Sequence, residues 1–362
     1  MKVLYGVNTN GQGHINRSRI FIEELMKDGH EVQVLFSGKK PPKYAYDIAP
    51  VAFYRLGPID MYKNHKVDLA KTLQVNLGKM GKLTKNRRDL LEIASTEEYD
   101  VIFTDFEPTT SVVGRILKKP VICIDHQQSA FHPANEETQA KHVLKLGFKF
   151  AIRLMLPYYS HCFSIDFVDS ISVVDNHSLY PLIWKSEFNN LKITYEDHIV
   201  VYLARYDIEN IVRVLSSFPE ENFFVYGFNK NLKIDNIQFK KTSRIGFLQD
   251  LVSAKMVIGN AGFNLAWESC IAKKNIWMIP HANNYEQLSN AYRLKKLNRA
   301  FVTEDLSKNE MRYFLTKSQE NDYKPLVDVL TISPNILMKE VYEFLDNFEE
   351  PVKKIRKRKR LD

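Results

Sequence analysis

The chain has 362 residues, 44% of them hydrophobic, which is enough to bury two separate cores. It contains no run of 18 uncharged apolar residues, so no transmembrane helix is expected. The net charge is +8, but residues 353–362 (KKIRKRKRLD) carry +6 of it on seven bases and one acid, so the body is near neutral.

The basic tail has three readings: a solvated end, a contact for anionic lipid, or, least favoured, a contact for nucleic acid. Cys123, Cys162 and Cys270 form no C-x-x-C pair and lie in apolar runs, which predicts buried thiols in a reducing compartment. Met1-Lys-Val-Leu-Tyr-Gly-Val runs straight into a strand pattern without the features of a signal peptide. These readings together predict a cytoplasmic protein.

Predicted strands over 2–7, 31–36, 51–55, 101–104, 121–124 and 161–165 alternate with helix patterns, notably over 15–27 and in one long stretch near 68–94. Continuous apolar strands between helices predict a parallel, doubly wound α/β sheet. The theme repeats with strands at 198–203, 223–226, 256–258 and 275–278 and helices at 207–217, 248–254, 262–271 and 285–297. The stretch 176–197 lacks periodicity and is rich in turn formers, so it is the expected junction. A last helix near 336–347 is expected to pack back on the first domain. Ligands of such sheets bind at the carboxyl ends of the strands, and two facing sheets form a cleft.

The first predicted strand ends in Val7-Asn-Thr-Asn-Gly11-Gln-Gly13-His14-Ile-Asn-Arg17. Asn16 stands where a dinucleotide fingerprint needs its third glycine, and the second strand ends in Ser37-Gly38 with no acid for a ribose. Both absences argue against NAD. His14 at the helix start is either a general base or a loop and capping histidine. The strand over 101–104 ends in Asp105-Phe106-Glu107-Pro108 and should neighbour the first strand across the switch point. Asp105 or Glu107 can then bond His14. Alternatively Asp105 caps the helix that starts near Pro108, or the D-x-E pair holds Mg²⁺, the least specific reading. The next strand ends in Ile124-Asp125-His126-Gln127-Gln128 and brings further polar groups, including His126 and Gln127, to the same edge. The spacing of His126, His132 and His161 matches no metal-ligand pattern, so no metal site is expected.

In the second half, an apolar strand ends in Gly259-Asn-Ala261-Gly262-Phe263, and a helix pattern starts at Gly262. Free backbone N–H groups and a positive helix end there suit a diphosphate. Glu268, six residues past Gly262, can accept bonds from two sugar hydroxyls, and a second polar cluster holds Glu286 and Gln287.

In their order and at their strand ends, G-x-G-H-x-x-R, D-F-E-P, I-D-H-Q-Q and N-A-G-F…E with E-Q…N-A resemble the GT-B glycosyltransferases over most of residues 1–300. The branch is similar to the peptidoglycan N-acetylglucosaminyltransferases and to UDP-glucuronosyltransferase-like bacterial and archaeal proteins. The resemblance implies two Rossmann-like domains facing across a cleft. Residues 1–185 would bind the acceptor and 186–335 the nucleotide sugar. Residues 336–350 would form the returning helix and 351–362 the tail. It implies inverting transfer without a metal or other cofactor, from a donor most simply UDP-linked, to a hydroxyl on a lipid or cell-envelope glycan precursor.

His14 would be the base, with Asp105 or Glu107 behind it and Gly13, Arg17, His126 and Gln127 on the acceptor side. Glu268 would hold the ribose, and Glu286 and Gln287 the donor sugar. Ala261, Gly262 and Phe263 would face the diphosphate, and Phe247 and Leu248 the base of the nucleotide. Where relatives have a glycine-rich loop, this chain reads Tyr202-Leu203-Ala204-Arg205-Tyr206, so Arg205 would supply charge to the diphosphate. Two other readings stay open. One is a nucleotide-sugar epimerase or hydrolase on the same scaffold. The other is a non-catalytic binding protein anchored by its tail.

Lys141, Lys145, Lys149 and Arg153 recur every four residues among apolar side chains. This predicts either an ordinary domain helix with solvated bases or a helix lying on an anionic membrane, which would make the protein peripheral at the inner face of the cell membrane.

Overall fold

The computed structural model describes residues 1–57, 62–63, 66–67, 69–135, 142–204, 206–241, 243–319 and 331–349. Arg205, Lys141 and the basic tail lie outside the described residues.

The first sheet is built from β1 (Lys2–Asn8), β2 (Glu31–Gly38) and β3 (Val51–Leu56), then, after a small hairpin of β4 (Tyr62–Lys63) and β5 (Lys66–Val67), from β6 (Val101–Asp105), β7 (Val121–Asp125), β8 (His161–Ile165), β9 (Ser172–Val174) and β10 (His177–Tyr180). Their order is β3-β2-β1-β6-β7-β8-β10-β9, parallel except for the edge strand β9. The helices are α1 (Gln12–Lys27), α2 (Leu69–Leu77), α3 (Met80–Glu97), α4 (Pro108–Leu117) and α5 (His142–Met155). Successive side chains of β1 go to opposite faces, so Val3, Tyr5 and Val7 pack with Ile20, Phe21 and Leu25 of α1, while Leu4 packs with Leu90 of α3 and Val113 of α4. Burial on both faces is why the strand reads as a continuous apolar run.

After the two-residue strand β11 (Leu182–Ile183), the second sheet comprises β12 (Ile199–Tyr202), β13 (Phe223–Tyr226), β14 (Leu232–Ile234), β15 (Ile237–Phe239), β16 (Met256–Gly259), β17 (Asn275–Met278) and β18 (Phe301–Val302). The order is β14-β15-β13-β12-β16-β17-β18, again parallel apart from one edge strand, β14. It is covered by α6 (Ile208–Leu215), α7 (Arg244–Ser253), α8 (Phe263–Ile271), α9 (Tyr285–Lys296) and α10 (Lys308–Gln319). β19 (Thr331–Ile332) returns to pair with β11, and α11 (Pro334–Asp346) then lies on α1. There Leu337, Met338 and Val341 join the first core, and the Tyr342 hydroxyl donates to Asp28 at 2.7 Å. Two mainly parallel, doubly wound sheets thus follow one another along the chain, as expected from the sequence.

Two expectations change. The long helix near 68–94 is two helices, broken at Gly78 and Lys79, where the chain turns on backbone bonds back to Gln74 and Asn76. Residues 177–180, read as junction, are strand β10 of the first sheet. Their polar side chains disguise a buried strand. His177 bonds Ser164 at 2.8 Å and Ser178 bonds His161 at 2.9 Å, which removes the cost of burying them.

Candidate active site

The parallel pairing of β1 with β6 sets Val7 opposite Asp105, so the turn after β1 and the D-F-E-P turn lie side by side. β1 ends at Asn8 and α1 starts at Gln12, with Gly11 extended at its N-cap, which brings His14 and Arg17 over the end of β6. His14 Nδ1 lies 2.7 Å from Asp105 Oδ1. Arg17 donates Nε–H to Oδ2 at 2.9 Å and an Nη2–H to Oδ1 at 2.5 Å, and Ser18 donates to Oδ2 at 3.1 Å. Asp105 and Arg17 are buried, whereas the His14 side chain keeps 14% of its surface exposed at the cleft. Burial pushes the Asp105 carboxyl up, but the charges of Arg17 and His14 outweigh it and hold the group below the usual carboxylate range.

The tautomer of His14 follows from its neighbours. Arg17 Nη2 also lies 3.0 Å from Nδ1, but the same nitrogen has Asp105 Oδ1 and Gln127 Oε1 (3.2 Å) as acceptors. The proton therefore sits on Nδ1, donated to the carboxylate, and the lone pair is on Nε2. Among the described residues nothing hydrogen-bonds to Nε2. Phe106 stacks on the imidazole at 5.8 Å and 5°, and its backbone takes the left-handed φ of 54°. The Asn8 amide donates to its carbonyl at 3.1 Å and holds this turn. Phe106 had no signal beyond its place between two acids, and backbone strain of this kind gathers at functional sites.

Across the cleft, α8 starts at Gly262 without a side-chain cap. The Gly262 N–H is already bonded to Asn260 O at 2.7 Å, so the N–H groups without an intrahelical partner are those of Phe263, Asn264 and Leu265. The expected cradle at Ala261–Phe263 thus shifts toward the helix, and the Ala261 carbonyl accepts from Asn290 at 3.0 Å. The two helix starts nearly touch. A Cβ on Gly13 would stand 2.2 Å from Asn264 Nδ2, so a side chain there would make the Asn264 amide move. Glu286, partly exposed at the start of α9, is near enough for its charge to act on Arg17 and His126 of the first domain. Gln287 Oε1 accepts from the His281 N–H at 2.9 Å.

Several predicted site residues serve the fold instead. Glu107 does not reach His14; it caps α4, accepting from the N–H groups of Thr109 and Thr110 at 3.0 and 2.6 Å. The reason is local, because Pro108 at the first helical position puts the preceding carboxylate over the free N–H groups. Asp105, not Glu107, is the partner of His14, and Asp105 is not the helix cap. Arg17 does not face an acceptor, because its guanidinium is consumed by Asp105. His126 is buried between domains, stacked on Phe263 at 3.7 Å, with Nδ1 3.0 Å from Ile165 O and Nε2 3.0 Å from Asn290 Oδ1. Burial lowers its pKa, with the Asp166 charge opposing. Gln127 lies beneath Arg17.

Phe247 and Leu248 point into the core, Phe247 edge-on to Tyr202 and Tyr226, and the exposed apolar side chain at the start of α7 is Ile245. Glu268 is buried, its Oε1 2.7 Å from Lys185 Nζ and 2.9 Å from Arg244 Nη2. Burial pushes its pKa up, and the two cations hold it below the usual range. Lys185, in the segment between the sheets, and Glu187, which pairs with Arg244, were not anticipated. The three cysteines are free and buried. Cys123, Asp125 and Cys162, all buried, bring three ligand atoms within 4.8 Å of one another.

Residues 1–318 match the family model described as glycosyl transferase family 1. The chain belongs to this family. As a glycosyl transferase of family 1 it shares its fold with solved transferases. One is UGT2 of Phytolacca americana, complexed with UDP-2fluoro-glucose and pterostilbene, at 14% identity and a TM-score of 0.67, with 95% of this chain and 99% of that one covered. Another is the spinosyn rhamnosyltransferase SpnG complexed with thymidine diphosphate, at 12% identity and a TM-score of 0.61, covering 94% and 100%. SnogD from Streptomyces nogalater is similar at 13% identity and a TM-score of 0.57, covering 95% and 99%. At these identities the likeness is one of fold. No curated protein matches the chain by sequence. No helix among the described residues is long and apolar enough to cross a membrane.

Proposed function

We propose that this transferase moves a sugar from a UDP-linked donor to a hydroxyl of a lipid or glycan-precursor acceptor, with inversion and without a metal. The observation that supports the reading is His14, its Nδ1–H held by buried Asp105, its side chain partly exposed and its neighbour Gly13 against Asn264 in the uncapped first turn of α8. Nε2 takes the proton of the acceptor hydroxyl as that oxygen attacks the anomeric carbon from the face opposite the diphosphate. The carbon–oxygen bond to the diphosphate breaks, and its electrons stay on the leaving group. That charge meets the first-turn N–H groups and the positive end of α8, with Arg205 as the proposed added cation. Glu286 is the proposed sugar ligand. Glu268 stays a proposed ribose ligand only through the oxygen that Lys185 and Arg244 leave.

The experiment has two arms. Thermal stabilisation by UDP, TDP, GDP, ADP and NAD tests the donor, and UDP should give the largest shift; no shift with any nucleotide would overturn the reading. Transfer by His14→Ala should fall by roughly 10²–10⁴-fold while the UDP shift is retained. Near-normal transfer by this variant removes His14 as the base, and a product with the donor's own anomeric configuration removes inversion.

A further inference from the structure

The α5 helix is built against the usual plan of a surface helix. Its inner side meets the cleft rim. Ile152 is buried with Ala130 and Tyr285, and the Phe148 ring lies 4.9 Å from that of Tyr285, at the start of α9. Its outer side should be polar. Instead Val143, Leu146, Phe150 and Leu154, spaced by three, four and four residues, form one stripe that is 78%, 55%, 72% and 70% exposed. The row Lys145, Lys149 and Arg153 runs beside that stripe, with Lys149 and Arg153 over the Phe131 ring at 5.2 and 4.9 Å. The helix carries no acidic residue.

We infer that the outer face of α5 docks on an anionic lipid bilayer, the apolar stripe entering the headgroup–acyl boundary and the basic row meeting lipid phosphates. Two features select this occupant. An exposed apolar stripe edged by cations and free of acids complements a negatively charged, apolar-backed surface. A second copy of the chain fits it poorly. Twofold pairing through the stripe would bring each basic row near its own equivalent, with no acid on the helix to relieve the repulsion. Docking in this way sets the bilayer beside the turn that holds Gln127 and the end of α9 that holds Glu286. Only this consequence for the acceptor, a lipid reached at the membrane, rests on the proposed transfer; the docking itself does not.

Co-sedimentation of the full chain with phosphatidylcholine vesicles, with and without roughly 30% phosphatidylglycerol, tests the inference. The protein should pellet with the anionic vesicles, less so at high salt, and stay in solution with the neutral ones. F150E/L154E replaces two exposed side chains, so folding and the UDP-induced thermal shift should persist while vesicle affinity falls by more than about tenfold. Wild-type binding by this variant would assign any membrane contact to another surface, such as the basic tail, and overturn the inference. Absence of binding to anionic vesicles would overturn it as well. So would a wild-type dimer in sedimentation velocity that the variant splits, because a second copy would then cover the stripe. Failure of every nucleotide to bind, with stripe-dependent vesicle binding intact, would sink the transfer reading and leave the docking face standing.

Discussion

Asp105 in the first domain and Glu268 in the second are both fully buried carboxylates, and each is flanked by two cationic or basic side chains. They differ in where their partners lead. Around Asp105, one partner is a fixed cation, Arg17, and the other is His14, an imidazole whose side chain stays partly exposed at the cleft. Around Glu268, both partners are fixed cations. Lys185 is buried against the Trp267 ring at 4.3 Å, and Arg244 continues to a second acid, Glu187. Burial lowers the pKa of Lys185, and the two cations hold that of Glu268 below its usual range against burial, without creating a reactive group. Thus burial and charge alone do not mark a reaction centre; the proposed one is the cluster whose imidazole opens onto the cleft.

The largest stability effect should therefore come from the second cluster, and the largest rate effect from the first. Glu268→Ala leaves Lys185 and Arg244 without their shared anion inside the protein, which should cost about 3–5 kcal/mol in urea unfolding. The pair Lys185→Met with Glu268→Leu should recover much of that loss, because apolar side chains of similar size replace the ions. His14→Ala, by contrast, should leave the unfolding midpoint almost unchanged. If Glu268→Ala leaves stability intact but abolishes the UDP shift, the carboxylate is a donor ligand first and the comparison is wrong.

The contrast also shows what could be read in the sequence. The alternation of buried strands and amphipathic helices, the turn that delivers His14 and the helix start at Gly262 are all local patterns, set by neighbours within a few residues. So was the approach of D-F-E-P to His14, because a doubly wound sheet places its first and fourth major strands side by side. The choice between Asp105 and Glu107 was not legible, since it turns on which carboxylate Pro108 leaves above the free helix N–H groups. Arg17 read as an acceptor contact because its partner lies 88 residues away, and Glu268 read as a free carboxylate because Lys185 lies 83 residues away. The strand at 177–180 was hidden because its polar side chains are satisfied by Ser164 and His161 on another strand.

Asp125 extends the comparison to a carboxylate that lacks such cations at bonding distance. Burial raises its pKa to about 7, with Arg17 opposing and Asp105 adding to the rise, and among the described residues its Oδ1 accepts only the Gln128 N–H at 3.0 Å. A raised acid contributes stability in full below its unfolded-chain value of about 4, and that contribution is lost as the pH rises to about 7. Asp125→Asn removes the titration. The stability of the variant relative to the wild type should rise between about pH 4 and pH 7, by an amount on the order of a few kcal/mol, and stay level above. A difference independent of pH would show that Asp125 ionises freely in the folded protein.

The smallest effect separates the two acids of the D-F-E-P turn. Glu107 gives both oxygens to α4, to Thr109 N–H, Thr110 N–H and the Thr110 hydroxyl at 2.8 Å. Asp105 gives both of its oxygens to α1. Glu107→Ala should therefore lower stability by about 1–2 kcal/mol, the loss of a helix cap, and leave kcat as it was. Asp105→Asn should do the reverse in emphasis. Its amide presents an N–H where His14 and Arg17 need an acceptor, which permits the histidine proton to move to Nε2 and removes the proposed base. If Glu107→Ala slows transfer as much as Asp105→Asn, the helix cap is also a catalytic support, because α4 then positions the end of β6 on which His14 depends.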